Sequence, residues 1–278
     1  MRDNIAGDGA AAPRMNDSFG PHSSTGTLYE FPLRDATRLL LRLEVLDRQL
    51  KLARGYRGRE RNRFAAHAVL SALDLVFRED LRAQLLQQIY YLQRNYEILR
   101  AHEDIHQEEL KATLAELEEF RDELTQLKAN EVRTLRFDPL ISALRQRDSV
   151  TDAAMAVDLP VYQWWLSSGP DRRHEDIQRW TETFQPLMDA NRRFLALLRQ
   201  RGEYRDCSAS QGGFTASVTR GHELWMVRVA MPAEAPCFPQ VSGTSDSSKI
   251  HVRFFKTPSG KDASEPYRAD FPFRLAVC

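Results

Sequence analysis

Apolar residues return at steps of three and four from Pro32 to about Gln200, a period that commits most of this 278-residue chain to helices packed against one another. Over residues 34–50 the stripe is Leu39, Leu43, Leu46 and Leu50; over 62–77 it is Val69, Leu73 and Val76. The steadiest run is Leu81, Leu85, Ile89, Leu92, Tyr96 and Leu99. Leu110, Leu114, Leu117, Leu124 and Leu127 mark a strongly charged helix, read as the antiparallel partner of the one before it. Shorter helices are predicted over 139–147 and 160–166. Ile177, Trp180 and Phe184 begin a further apolar face. Pro186 has no amide proton, so it is expected to open a new helix carrying Leu187, Asn191, Phe194 and Leu198 and ending at Gly202.

After Gly202 the pattern changes. Residues 214–219, 223–231, 249–256 and 268–277 alternate or cluster β-branched and aromatic side chains, with Gly, Pro and Ser between them. The turn at Arg220-Gly221-His222 reads as a hairpin. Helices followed by strands define an α+β chain: an N-terminal helical-bundle domain over 28–204 and a small antiparallel β domain over 205–278. Residues 1–27, rich in Gly, Ala, Ser, Asp and Asn, read as a disordered leader without the apolar segment of a signal peptide, and Met15 is an alternative start. No stretch reaches the roughly 18 apolar residues a membrane helix needs. Three widely spaced cysteines, Cys207, Cys237 and Cys278, make neither a metal knuckle nor a disulfide framework, which fits a cytoplasmic protein.

His102-Glu103-Asp104-Ile105-His106 satisfies H-E-x-x-H, the pattern that places two zinc ligands on one helix face with a glutamate to activate water. It sits ahead of a markedly acidic stretch. From Glu103 to Glu123 there are nine acidic residues against two basic, the mark of a solvated face rather than a dry catalytic wall. A zinc hydrolase on His102 and His106 is therefore the set-aside alternative, and neither a metal nor a catalytic residue is expected. No G-x-G-x-x-G, Walker loop, G-x-S-x-G or C-x-x-C occurs. Gly212-Gly213 precedes a strand and reads as a turn.

The opposite charge collects earlier. Arg38, Arg42, Arg48, Lys51, Arg54, Arg57, Arg59, Arg61 and Arg63 face only Glu44, Asp47 and Glu60 as opposing charges. Such a run is either a solvated helix face or an anion-binding surface for a peptide carrying carboxylates. Nucleic acid fits less well, because aromatic residues interleave only at Tyr56 and Phe64, and the whole chain has zero formal net charge. Trp164 and Trp165 are adjacent, about 100° apart on a helix, so one is expected in the core and the other nearer the surface.

Beyond the leader, the order of these motifs resembles the ZapD family of cell division proteins. Tyr29-Glu30-Phe31-Pro32-Leu33 leads into Leu41-Arg42-Leu43-Glu44; Leu73-Asp74-Leu75, Arg78, Asp80-Leu81-Arg82 and Leu85-Leu86 follow. Then come Arg145-Gln146-Arg147, Asp158-Leu159-Pro160, Tyr162, Trp164 and Leu166, Trp180, Pro186-Leu187, Pro239-Gln240-Val241-Ser242-Gly243 and Arg253-Phe254. The resemblance implies a non-enzymatic, cofactor-free homodimer at the midcell division site that binds the C-terminal tail of FtsZ and bundles its filaments. Arg42 falls on a position where the family carries a pocket cation, whereas Pro139 and Gln163 fall on two others and are uncharged. Arg136, Arg145 and Arg147 lie near enough in sequence to stand in, and with Arg38 and Arg42 they make up the expected tail site. No nucleic acid, membrane or small-molecule substrate is expected; the alternative is a helical adaptor for another acidic partner.

Overall fold

The computed structural model describes residues 26–55, 59–78, 80–99, 107–126, 132, 134–146, 157–218, 224–257 and 265–278. Strand β1 (Thr27–Pro32) precedes helices α1 (Asp35–Gly55), α2 (Arg59–Arg78), α3 (Leu81–Leu99) and α4 (Gln107–Gln126). A 3-10 turn at Leu135–Phe137 leads to α5 (Pro139–Arg145), α6 (Pro160–Ser167) and α7 (Pro170–Gln200). Strands β2 (Arg205–Ala209), β3 (Gly213–Ser217), β4 (Met226–Met231), β5 (Cys237–Ser242), β6 (Lys249–Lys256) and β7 (Phe271–Val277) follow. The chain is α+β, as its patterning predicts. It divides into a helical unit, Arg34–Arg201, and a β unit made of the segment up to Leu33 together with Gly202–Cys278.

That division moves a predicted boundary. The sequence reading starts the helical domain at residue 28, but residues 27–32 pair with β4 as an outer strand of the β unit. The expected leader over 1–27 and the His102–His106 motif fall almost wholly or wholly outside the described residues.

In the helical unit α1 packs against α2 and α7, and α3 against α4. The latter pair is antiparallel, since Arg82 in the first turn of α3 donates to the Thr125 carbonyl in the last turn of α4 at 2.9 Å. Three helices open on proline, Pro139, Pro160 and Pro170, where the missing N–H costs no hydrogen bond. Pro186 is different. It lies inside α7, not at the start of a new helix. Pro186 and Glu182, whose carbonyl it cannot reach with an N–H, are both exposed. Meanwhile Phe184, Leu187, Met188 and Phe194 are buried in one stripe across the proline, and this packing outweighs a local cost of about 3 kcal/mol.

The buried face of α1 is Leu40, Leu43, Asp47, Leu50 and Ala53, with Leu39 and Leu46 only half-buried. The predicted leucine stripe is rotated because a carboxylate occupies the middle of it.

The β unit holds two antiparallel sheets, ordered β1-β4-β7-β2 and β3-β6-β5. Their inner faces meet in one core that includes Val227, Val229, Val252, Phe254, Phe273 and Leu275. Strand β6 alternates strictly, with Ile250, Val252 and Phe254 buried and Lys249, His251 and Arg253 exposed. Residues 220–222, where a hairpin is predicted, lie outside the described residues; the strands on either side do not pair with each other, since β3 pairs with β6, and β4 with β1 and β7 in the other sheet. The chain crosses between sheets earlier, at Ser210–Gly213. There Gln211 and Gly212 both have positive φ (48° and 73°), and Ser210 and Gly213 exchange two 2.9 Å hydrogen bonds. Strand β1 is held by a largely buried cross-strand pair, Arg228 Nε to Glu30 at 3.0 Å, with the Arg228 guanidinium over the Tyr204 ring.

Candidate partner-binding surface

Helix α1 carries most of the basic run, and its packing on α7 decides which charges remain outside. Asp47, 2% exposed, accepts from Arg192 at 2.8 Å and Lys51 at 2.7 Å. Glu44 is taken by both terminal nitrogens of Arg199, at 2.7 and 2.8 Å, a bidentate fork. Arg54 turns inward too, donating to Thr181 at 2.6 Å and Gln185 at 3.0 Å. Asn191 closes the same interface through a 3.0 Å bond to the Leu40 carbonyl.

Both opposing acids within α1 are thus engaged by α7 arginines. Apart from Asp35 at the helix N-terminus, the charges of α1 that face water are cationic. Arg38, exposed, keeps a loose 3.9 Å contact with Asp35, and Arg48 a similar one with Glu44. Arg42 is exposed and has no acidic partner among the described residues. The nine-residue basic run therefore reduces to Arg38, Arg42 and Arg48 on α1: Lys51 and Arg54 serve internal contacts, Arg63 is half-buried, and Arg57 and the side chains of Arg59 and Arg61 lie outside the described residues.

The other predicted site residues sit elsewhere in the helical unit. Arg136, on the 3-10 turn, lies over the exposed Phe137 ring at 4.6 Å. Arg145 is exposed in the last turn of α5, and Arg147 lies outside the described residues. Pro139 opens α5 and Gln163 is exposed on α6; these helices pack on each other. The described site residues thus lie on separate elements: Arg38 and Arg42 on α1, Arg136 on the 3-10 turn and Arg145 on α5.

A network that sequence reasoning missed anchors α5. Asp138 caps α5 by accepting from the Leu140 and Ile141 N–H groups, and also accepts from Trp180 Nε1 and Arg179, both at 3.0 Å. Arg179 bridges to Asp176, which accepts from Trp165 Nε1 at 3.0 Å. The Trp165 and Trp180 rings lie 5.5 Å apart. As expected of adjacent residues, Trp165 is buried (1%) and Trp164 exposed (54%), with Arg172 over its ring at 4.7 Å. Asp138-Pro139, an N-cap residue followed by proline, is the local pattern in the sequence that points to this network.

Burial pushes the Asp138 carboxyl up, but hydrogen bonds from Trp180, the Ile141 N–H and Arg179 outweigh it and hold the group below its ordinary value of 3.8. A depressed carboxylate stabilises the fold above its unfolded-state value and loses that contribution as pH falls through the folded value. Asp138→Asn is accordingly expected to lower the melting temperature at pH 7, with the gap to the native protein closing below about pH 4. A gap that stayed constant from pH 7 to pH 2.5 would show that the charge contributes nothing.

No group of three or more His, Cys, Asp or Glu placed to hold a metal ion occurs among the described residues, nor does a helix long and apolar enough to cross a membrane. The fold and its surface define a two-unit α+β protein displaying a cationic helix face. The family model described as ZapD, cell division protein, matches residues 41–251. Curated relatives named Cell division protein ZapD include one from Nitrosomonas europaea, 31% identical over 90% of this chain and 94% of its own length. Others come from Dechloromonas aromatica and Vibrio cholerae, each 28% identical over 90% of this chain and 98% of the relative. The chain belongs to the ZapD family of cell division proteins.

Proposed function

We propose that the protein is a non-enzymatic division factor that takes the C-terminal tail of FtsZ on the exposed face of α1 and, as a two-fold dimer in the cytoplasm at the division site, cross-links FtsZ filaments. The observation that carries this reading is the separation of charge on α1. Glu44 and Asp47 are engaged by Arg199 and Arg192, while Arg38 and Arg42 face solvent. Membership of a cell-division family supplies the cellular context. Arg136 and Arg145 are assigned to the tail site as stand-ins for the uncharged Pro139 and Gln163, on their nearness in sequence.

Exposed ion pairs contribute only about 0.2–1 kcal/mol each, so one site is weak and salt-sensitive. A filament bearing many tails raises the effective concentration at the dimer's second site, so avidity makes bundling efficient. Arg42→Glu is expected to weaken co-sedimentation with FtsZ filaments about five- to tenfold while leaving the dimer intact by light scattering. Bundling by the native protein is expected to weaken more steeply with salt than dimerisation does. Undiminished co-pelleting of the variant would remove Arg42 from the site. Binding to another acidic peptide but not to the FtsZ tail would make the protein an adaptor for a different partner.

A further inference from the structure

Arg42 does not stand alone on α1. Arg38, Arg42, Val45, Gln49 and Leu52 follow one another at steps of four, three, four and three, the spacing of a coiled-coil seam on a single helix face. Val45 is 44% exposed and Leu52 50%, Arg38 and Arg42 are exposed, and Gln49 is half-buried. Arg48 lies on the flank, 3.9 Å from Glu44. Single apolar residues on a surface are ordinary. Here, however, two of them continue a line begun by two arginines, and the line runs from cationic to apolar over about 21 Å of helix.

We infer that this face binds a peptide segment laid lengthwise along α1, with carboxylates at one end against Arg38 and Arg42 and apolar side chains at the other against Val45 and Leu52. The inference rests on the tail-binding reading above and adds the ligand's chemistry and direction. An acidic peptide is favoured over a second copy of the chain. Self-pairing of the face would press two arginines from each copy into a seam whose carboxylate is the exposed Asp35 at its end, and buried guanidinium groups without acids are costly. The apolar half also changes the expected energetics. Contacts to Val45 and Leu52 depend on area removed from water and are insensitive to ionic strength, whereas those to Arg38 and Arg42 are screened. Binding therefore has a component that survives high salt.

The test is fluorescence anisotropy of a labelled FtsZ C-terminal tail peptide with the full chain across a salt series. Val45→Ser/Leu52→Ser is expected to bind about five- to tenfold more weakly at every salt concentration, with the salt slope unchanged. Arg38→Ser/Arg42→Ser is expected to weaken binding at low salt and flatten the slope. Superimposable melting curves establish that each double variant folds; should the first melt early, the near-isosteric Val45→Thr replaces it. If the arginine pair weakens binding and the apolar pair leaves it at the native value, the lengthwise amphipathic site is overturned and the tail reading stands. If the native protein fails to bind the tail, or neither pair affects it, both are overturned.

Discussion

Trp180→Ala is expected to destabilise the helical unit by about 3–5 kcal/mol, the range for deleting a fully buried large aromatic side chain. The indole is 1% exposed and its ring lies 5.5 Å from that of Trp165. Its N–H donates to Asp138, which simultaneously caps α5. Alanine leaves a cavity beside Trp165 on α6 and strips a donor from a carboxylate that relies on it. Trp180→Phe retains most of the ring packing and loses the hydrogen bond, so a smaller loss of about 1–3 kcal/mol is expected. Urea unfolding followed by far-UV circular dichroism measures both. Equal effects of Ala and Phe would place all the stabilisation in the hydrogen bond and none in the ring.

Gly212→Ala is expected to break the crossing between the two sheets, at a cost of about 3 kcal/mol or more. Gly212 has φ +73°, and a Cβ placed on it would sit 1.5 Å from the Tyr267 carbonyl oxygen, a clash with backbone that no rotamer change relieves. Its neighbour is the control. A Cβ on Gly213 meets nothing closer than the Ser210 carbonyl at 3.7 Å, so Gly213→Ala is expected to cost about 1 kcal/mol or less. Thermal melting of the two variants separates them. Matching midpoints would mean that the turn opens without consequence for the β unit.

The helices were legible in the sequence because a 3.6-residue period survives wherever one face is buried. Leu81, Leu85, Ile89 and Leu92 were read as a stripe and are all buried. Three strands were not legible. β2, Arg-Asp-Cys-Ser-Ala, is short and polar, and β5 carries Pro239, tolerated because β5 lies at a sheet edge. β1 does alternate, with Tyr29 and Phe31, and Leu33 just beyond it, against the core, but it adjoins α1 and carries no turn signal that would set it apart from the helical stretch. On the surface of α1, net charge was legible and its direction was not. The contacts that turn Asp47 and Glu44 inward come from Arg192 and Arg199, 145 and 155 residues away. No local pattern carries a pairing of that separation. Pro186 was misread for the complementary reason: the local rule is sound, but the packing on both sides of it is stronger.

Strand β1 has a consequence for how the chain is made. Its partner Arg228 lies 198 residues beyond Glu30, whereas the helical unit is complete at Arg201. During synthesis the helices can therefore close while the first strand waits, its edge unsatisfied, until β4 has left the ribosome. Translation that stalls between α7 and β4 would release a finished bundle trailing an unpaired β strand, the species most exposed to wrong pairing with a second nascent chain.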